Sequence, residues 1–165
     1  MLARRSWTVN DRRFSLKDII ARNKRAFHDY EILDTIEAGI VLRGTEARSI
    51  RTGGSGLTGA YAAFDDGGQL WIIGMHVPEY SQARENHSPN RRRKLLAHRR
   101  ELDRLRRRID EKGLTLIPLD LHYTNGIVKV LLGLCRGRKE HDRREDIAKR
   151  DAQRRIESAM KVRRG

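Results

Sequence analysis

The sequence predicts a mainly β protein with flanking helices, built as a closed or partly open antiparallel barrel rather than a βαβ sheet. Three observations lead there. Period-two apolar segments stand on both sides of one long charged segment with helical periodicity. Short Asp/Gly and Asn-Gly turns join the apolar segments in pairs. The Lys/Arg excess is confined to the two chain ends and to that one helical segment.

From Tyr30, the residues Tyr30, Ile32, Ile36, Ala38, Ile40 and Leu42 share one parity, interrupted by Asp34, while Glu31, Thr35, Glu37 and Arg43 fall on the other. This predicts a half-buried strand with a bulge or edge at Asp34 and with Glu37 facing outward. Gly44-Thr45 opens a short helical turn, Glu46–Arg51, with Thr45 as its N-cap. The glycine-rich piece Thr52–Gly59 lacks the spacing and the lysine of a phosphate-cradling loop, and reads as a flexible connection. Ala60–Phe64 and Leu70–Val77 are strands joined by the Asp65-Asp66-Gly67-Gly68 turn, and Pro78–His87 is a polar loop.

Ser88, Pro89 and Asn90 then supply start signals for a helix, Gly113 a stop, and Leu95, Leu102, Leu105 and Ile109 a narrow apolar stripe. The spacing predicts a helix over about 90–112, with Leu96 off the stripe on the charged side. Leu114–Tyr123 and Ile127–Cys135 follow as strands joined by Asn125-Gly126, the strongest short hairpin signal. Lys129 is a lone charge with parity opposite to Val128, Val130, Leu132 and Leu134, either at an edge or placed to meet a ligand.

Beyond Arg136 the only helical stripe is Ala148, Ala152, Ile156, Ala159 and Met160. Side chains this small bury too little area to offset ordering costs of ~1–2 kcal/mol per residue. A tail disordered until bound is therefore expected, helical on a partner from Asp142 to about Met160. The domain reading is a flexible basic arm at 1–22, a barrel at 23–135 and a basic tail at 136–165.

The chain of 165 residues carries a net charge of +14, unevenly spread. Residues 1–25 hold a net +6, residues 136–165 another +6, and Arg91–Lys112 sets eleven Lys/Arg against four Asp/Glu. The rest is acidic. Basic appendages on a near-neutral body point to nucleic acid. A membrane surface fits less well, because neither tail has the bulky apolar face of an interfacial helix. The single Cys135 excludes a disulfide framework and a Cys-based zinc site. No stretch approaches a membrane span. The Arg-rich opening could pass for a transit peptide, but Asp11 and Asp18 weaken that reading in favour of an arm.

No catalytic constellation emerges. The six histidines show neither zincin nor zinc-finger spacing, and no nucleophile elbow is present. Asp65-Asp66 is explained by its turn, and Glu37 has no sequence-near carboxylate partner for a metal-dependent nuclease. No catalytic residue, metal or cofactor is expected.

These residues assemble into a resemblance. Asn23-Lys-Arg-Ala-Phe-His28-Asp-Tyr30, Glu37-Ala-Gly39, Gly44-Thr-Glu-Ala-Arg-Ser49, Arg92-Arg-Lys-Leu-Leu96, Lys129-Val, and Gly137-Arg-Lys with Asp142-Arg-Arg144 resemble the SsrA-binding protein family, SmpB, in order and spacing from 23 to about 155. The resemblance implies an OB-like antiparallel barrel with flanking helices. It also implies binding to the tRNA-like domain of transfer-messenger RNA and delivery to stalled bacterial ribosomes for trans-translation, in the cytoplasm. Implied partners are that RNA, the small-subunit RNA at the decoding centre and messenger channel, and elongation factor Tu only through the RNA complex; the chain itself is expected to be a monomer.

Carried over by position, Glu37, Leu96 and Lys129 are implied to contact the RNA, while Asn23, Lys24, Arg25 and His28 form a basic entry segment. Arg91, Arg92, Arg93 and Lys94 add charge for RNA. Gly137, Arg138, Lys139, His141, Asp142, Arg143, Arg144, Lys149, Arg150 and Arg154 are implied to serve in the ribosome. Three departures stand out: Phe27 where the family usually has Arg, Gly56-Leu-Thr-Gly-Ala-Tyr61 for an Asn-Leu-x-Asp-Ser-Tyr run, and Ala97 for a Leu. Competing readings are a generic OB-fold RNA-binding or ribosome-associated module and, less well supported, a ribonuclease.

Overall fold

The computed structural model describes residues 19–138 and 140–162, without the side chains of 140–146, 159, 161 and 162. In chain order the elements are β1 (Ile19–Arg22), α1 (Lys24–Asp29), β2 (Tyr30–Ile40), α2 (Gly44–Thr52), β3 (Tyr61–Phe64), β4 (Leu70–Ile73), β5 (Arg93–Leu96), α3 (Arg99–Lys112), β6 (Thr115–Thr124), β7 (Ile127–Gly137) and α4 (Glu140–Val162). The sheet order is β1-β6-β3-β4-β5-β2-β7, and a further β6–β7 pairing closes the ring, all antiparallel. Closure removes the exposed edges that an open sheet of short strands would present.

The β6–β7 hairpin turns at Asn125 (φ 50°) and Gly126 (φ 76°), the two positive φ values that a two-residue turn needs. The bulge expected near Asp34 is present: the β2–β7 register shifts between Ile32 and Asp34, which leaves Leu33 without a ladder partner. One extra residue moves side chains to the other face. Ile36 and Ala38 therefore enter the main core with Leu70, Ile72, Leu95, Val130 and Leu132, while Ile32 joins a smaller cluster of Ala26, Ile117, Leu119 and Cys135. That second cluster lies where α1 packs on the sheet. An ideal Cβ at Gly133 would stand 3.1 Å from Leu119 Cδ1 and 3.0 Å from Cys135 Sγ, so a bare backbone is required there. Cys135 is buried, and burial pushes its thiol up to about 11.

Four expectations are corrected. Ile19–Arg22 is a strand on β6 rather than part of a flexible arm, because its apolar residues find a register against His122, Leu121 and Asp120. The rest of the arm lies outside the described residues. Thr45 is not the N-cap of α2; Arg43 holds that position, and Thr45 Oγ1 instead meets His87 Nδ1 at 2.9 Å. The strand expected over Leu70–Val77 ends at Ile73.

The largest correction concerns the helix expected over about 90–112. It begins at Arg99, and Arg93–Leu96 is a strand joining β4 to β2. Burial alternates there, with Arg93 and Leu95 inside, Lys94 half-buried and Leu96 exposed. Leu95 thus belongs to the barrel core, while Leu105, flanked by Leu102 and Ile109, makes the packing face of α3. The tail expected to be disordered until bound is drawn as α4, matching the span expected for its bound helix; its described side chains from 147 to 158 are exposed.

Candidate nucleic-acid interface

Glu37, Leu96 and Lys129, far apart in sequence, meet on one outer patch. His122 pairs with Lys129, Lys129 with Gly39, and Gly39 with Leu96, so one register row crosses β6, β7, β2 and β5. Partners directly opposite in an antiparallel ladder share a face. Leu96 is 50% exposed at one end of this row. Gly39 carries no side chain between Leu96 and Lys129, leaving the sheet open there.

Lys129 is not the unpaired charge its parity suggests. Its Nζ donates to Glu37 Oε1 at 2.8 Å, and Glu37 Oε2 stands 3.0 Å from His122 Nε2. His122 Nδ1 in turn lies 2.6 Å from Asp120 Oδ1, and the ring is fully buried. Burial pushes the Glu37 carboxyl up, but hydrogen bonds from Lys129 and His122 outweigh it and hold the group below its ordinary value. Glu37 is therefore an anchored carboxylate, partly exposed, rather than a free outward group. Asp120 and His122 are site residues that the sequence reading missed. The available signal was a polar pair at i, i+2 on one face of an apolar strand. Among the described residues no group of three or more His, Cys, Asp or Glu is arranged to hold a metal ion.

The cationic run divides by strand geometry. Arg93 turns inward and is fully buried, its Nε donating to Glu46 Oε1 at 2.8 Å and its guanidinium also donating to the carbonyls of Met75, Arg91 and Pro89. Arg91 Nε donates to the same Glu46 oxygen at 2.8 Å. Glu46 also accepts the Arg43 N–H at 2.7 Å, closing the first turn of α2. Arg93 is thus removed from the RNA-facing set, and Arg91 is held mainly within the fold. Arg92 and Lys94 remain on the outer side. On α3, Arg99, Arg100, Arg104, Arg106, Arg107 and Lys112 are exposed, while Arg108 bonds to Asp34.

Asn23 is likewise internal. It is 4% exposed; its Oδ1 accepts from the Ala26 N–H at 3.2 Å, and its Nδ2 donates to the carbonyls of Pro118 (3.0 Å) and Leu57 (3.3 Å). An N-cap side chain so engaged seats α1 on the sheet and has no face left for RNA. Lys24, Arg25, Phe27 and His28 are exposed on α1. Beside them a hollow of about 420 Å³ is lined by Arg25, Asp29, Thr58, Gly59, Ala60 and Tyr61, where the sequence departs from the family's polar run. At the far end of β7 the Arg138 N–H and Nε donate to the carbonyls of Asp29 and Tyr30. Lys139 and the side chains of His141, Asp142, Arg143 and Arg144 lie outside the described residues, while Lys149, Arg150 and Arg154 are exposed on α4.

A closed antiparallel barrel with exposed cations and an exposed leucine in one row with a lysine on its outer face defines an oligonucleotide-binding barrel. Comparison with known proteins is specific. The family model described as SmpB protein matches residues 20–162. The SsrA-binding protein of Mycolicibacterium vanbaalenii is 48% identical over 156 residues, covering 94% of this chain and 92% of the relative. That of Carboxydothermus hydrogenoformans is 49% identical, covering 90% and 99%. A solved structure described as "tmRNA-SmpB: a journey to the center of the bacterial ribosome" matches with a TM-score of 0.60 and 48% identity over 72% of this chain and 84% of that one. The chain belongs to the SmpB family.

Proposed function

We propose that this chain binds the tRNA-like domain of transfer-messenger RNA and delivers it to stalled ribosomes for trans-translation, acting in the cytoplasm as a binding protein rather than an enzyme. The observation that carries the reading is the register row that brings Lys129, Gly39 and Leu96 side by side, with Glu37 bonded to Lys129. Lys129 offers charge to phosphate, Glu37 an acceptor for base amino groups, and Leu96 an apolar surface for a base or sugar. Lys24, Arg25, His28, Arg92 and Lys94 extend the cationic surface, and α3 presents a further one. Among the described residues no helix is long and apolar enough to cross a membrane.

The test is direct. Leu96→Asp should weaken binding of transfer-messenger RNA by about 1–3 kcal/mol with melting unchanged, because the side chain packs on nothing in the core. Lys129→Ala should weaken it comparably and, by leaving Glu37 without its lysine, also lower stability slightly. Wild-type affinity in Leu96→Asp, measured by filter binding, overturns the placement of the interface.

Salt dependence gives a second expected result. Binding should fall on a log–log plot with a slope of about −0.7 to −0.9 for each phosphate neutralised. A slope near zero between low and moderate salt excludes phosphate contacts as the source of affinity.

A further inference from the structure

Next to the row of Leu96 and Lys129, the outer face of the sheet carries a built stack that joins Arg92 of the basic run to Trp71, a residue outside every motif quoted above. The guanidinium of Arg92 lies 4.7 Å from the centroid of the Trp71 ring. The indole beneath it is fixed: Trp71 Nε1 donates to Asp65 Oδ2 at 2.8 Å, and Asp65 Oδ1 accepts the Gln69 N–H at 2.8 Å. The bond from Trp71 first, then that from Gln69, holds the Asp65 carboxyl below its ordinary value, so the anchor stays ionised at neutral pH. Trp71 pairs across the ladder with Lys94; Arg92 immediately precedes β5, and Lys94 and Leu96 alternate with it along the outward side.

We propose that Arg92 and Trp71 form a stacking shelf for one unpaired nucleobase of the bound RNA. The base lies on the open face of the guanidinium, the indole supports it from below, and Lys94 meets the adjoining phosphate. Arg92 is exposed; one face of its plane lies over Trp71, the Asp65 carboxylate acts on it through charge, and the other face is available. A delocalised, weakly hydrated plane stacks on bases in a way that an ammonium does not. Sequence-specific RNA recognition relies on unpaired bases stacked against aromatic rings or arginine planes. The shelf is continuous with the Leu96 end of the row, which places its occupant on the same RNA. It rests on the functional reading above and adds a contact that Glu37, Leu96 and Lys129 do not supply.

The experiment uses the full chain with Trp7→Phe, which leaves Trp71 as the only tryptophan. The tRNA-like domain of transfer-messenger RNA is titrated in, with Trp71 emission and filter binding followed together. Emission should be quenched in step with binding. Arg92→Ala and Arg92→Lys should each weaken binding about tenfold, the lysine variant with its salt slope retained. Wild-type affinity in Arg92→Lys overturns the shelf, because charge alone then suffices at that position. Failure of the wild-type chain to bind this RNA overturns the functional reading itself, and so the two failures are distinct.

Discussion

Replacing Glu46 with Ala should cost about 3–5 kcal/mol of stability and lower the melting temperature by about 10–20 °C, the largest loss expected from any one substitution in this barrel. Glu46 and Arg93 are both fully buried, each the other's countercharge. Removing the carboxylate strands the Arg93 guanidinium in the core, opens the first turn of α2 and frees Arg91. Since domains of this size are held by about 5–15 kcal/mol, the variant should sit near its unfolding transition at growth temperature. Glu46→Gln, which keeps an acceptor but not the charge, should fall between the two. An unfolding free energy for Glu46→Ala, extrapolated from urea, within about 1 kcal/mol of wild type rules the network out as a major support.

The same carboxylate predicts the acid limb of stability. Burial pushes Glu46 up, but bonds from Arg91, the Arg43 N–H and Arg93 outweigh it and leave the group below its ordinary value of 4.5. A folded-state value below the unfolded one means that the stabilisation is full above about pH 4.5 and is lost as pH falls through the folded value. Glu37, lowered in the same direction, adds to this. Wild type should therefore destabilise steeply below that pH, and Glu46→Ala more gently.

Ending the chain at Arg138 should abolish tagging of stalled peptides in a reconstituted translation assay, while RNA capture falls only modestly. The cut falls past the last strand, and Arg138 keeps both of its bonds to the Asp29 and Tyr30 carbonyls, so the barrel stays whole. Among the described residues the helix beyond is tied to the body by Arg150 Nη1 and His28 Nδ1 at 3.5 Å, an exposed contact worth little. Among the described residues Ile147, Ile156 and Met160 lie exposed on α4. A helix with so small an apolar stripe takes its stability from whatever it docks against. The tail's net +6 suits a channel walled by ribosomal RNA phosphates. Alanine at Asp142, Arg143 and Arg144 should impair tagging more than neutralising Lys161, Arg163 and Arg164. Full tagging by the shortened chain reduces the tail to a non-specific counter-ion.

Much of this architecture was readable because its physics is local. Period-two spacing placed β2 and β7, apolar β-branched content placed β6, Asn125-Gly126 placed the hairpin, and parity set Lys129 apart from the core, whereas Leu96 was set outside by a helical stripe that is not there. β5 escaped because its inward side chain is an arginine. Hydropathy counts Arg93 as polar, so the alternation Arg93-Lys94-Leu95-Leu96 disappears, and Leu95 completes a false stripe with Leu102, Leu105 and Ile109. The countercharge that makes an inward Arg93 tolerable is Glu46, forty-seven positions away. Asn23 misled in the opposite direction, since a polar residue beside lysine and arginine reads as surface although its amide is spent on Pro118, Leu57 and Ala26. The Glu37–His122–Asp120 chain is a product of ring closure, and its one local trace is the polar pair Asp120 and His122 on an apolar strand.

Ring closure also sets the order in which the protein can become competent while it is being synthesised. β7 is the last strand made, and it pairs with β2 on one side and β6 on the other. Until Gly137 has left the translating ribosome, the barrel is an open sheet and Lys129 has no Glu37 beside it. No nascent fragment that lacks β7 can hold the whole RNA-facing row. The binding surface is thus completed by the last strand of the described residues and by no earlier one.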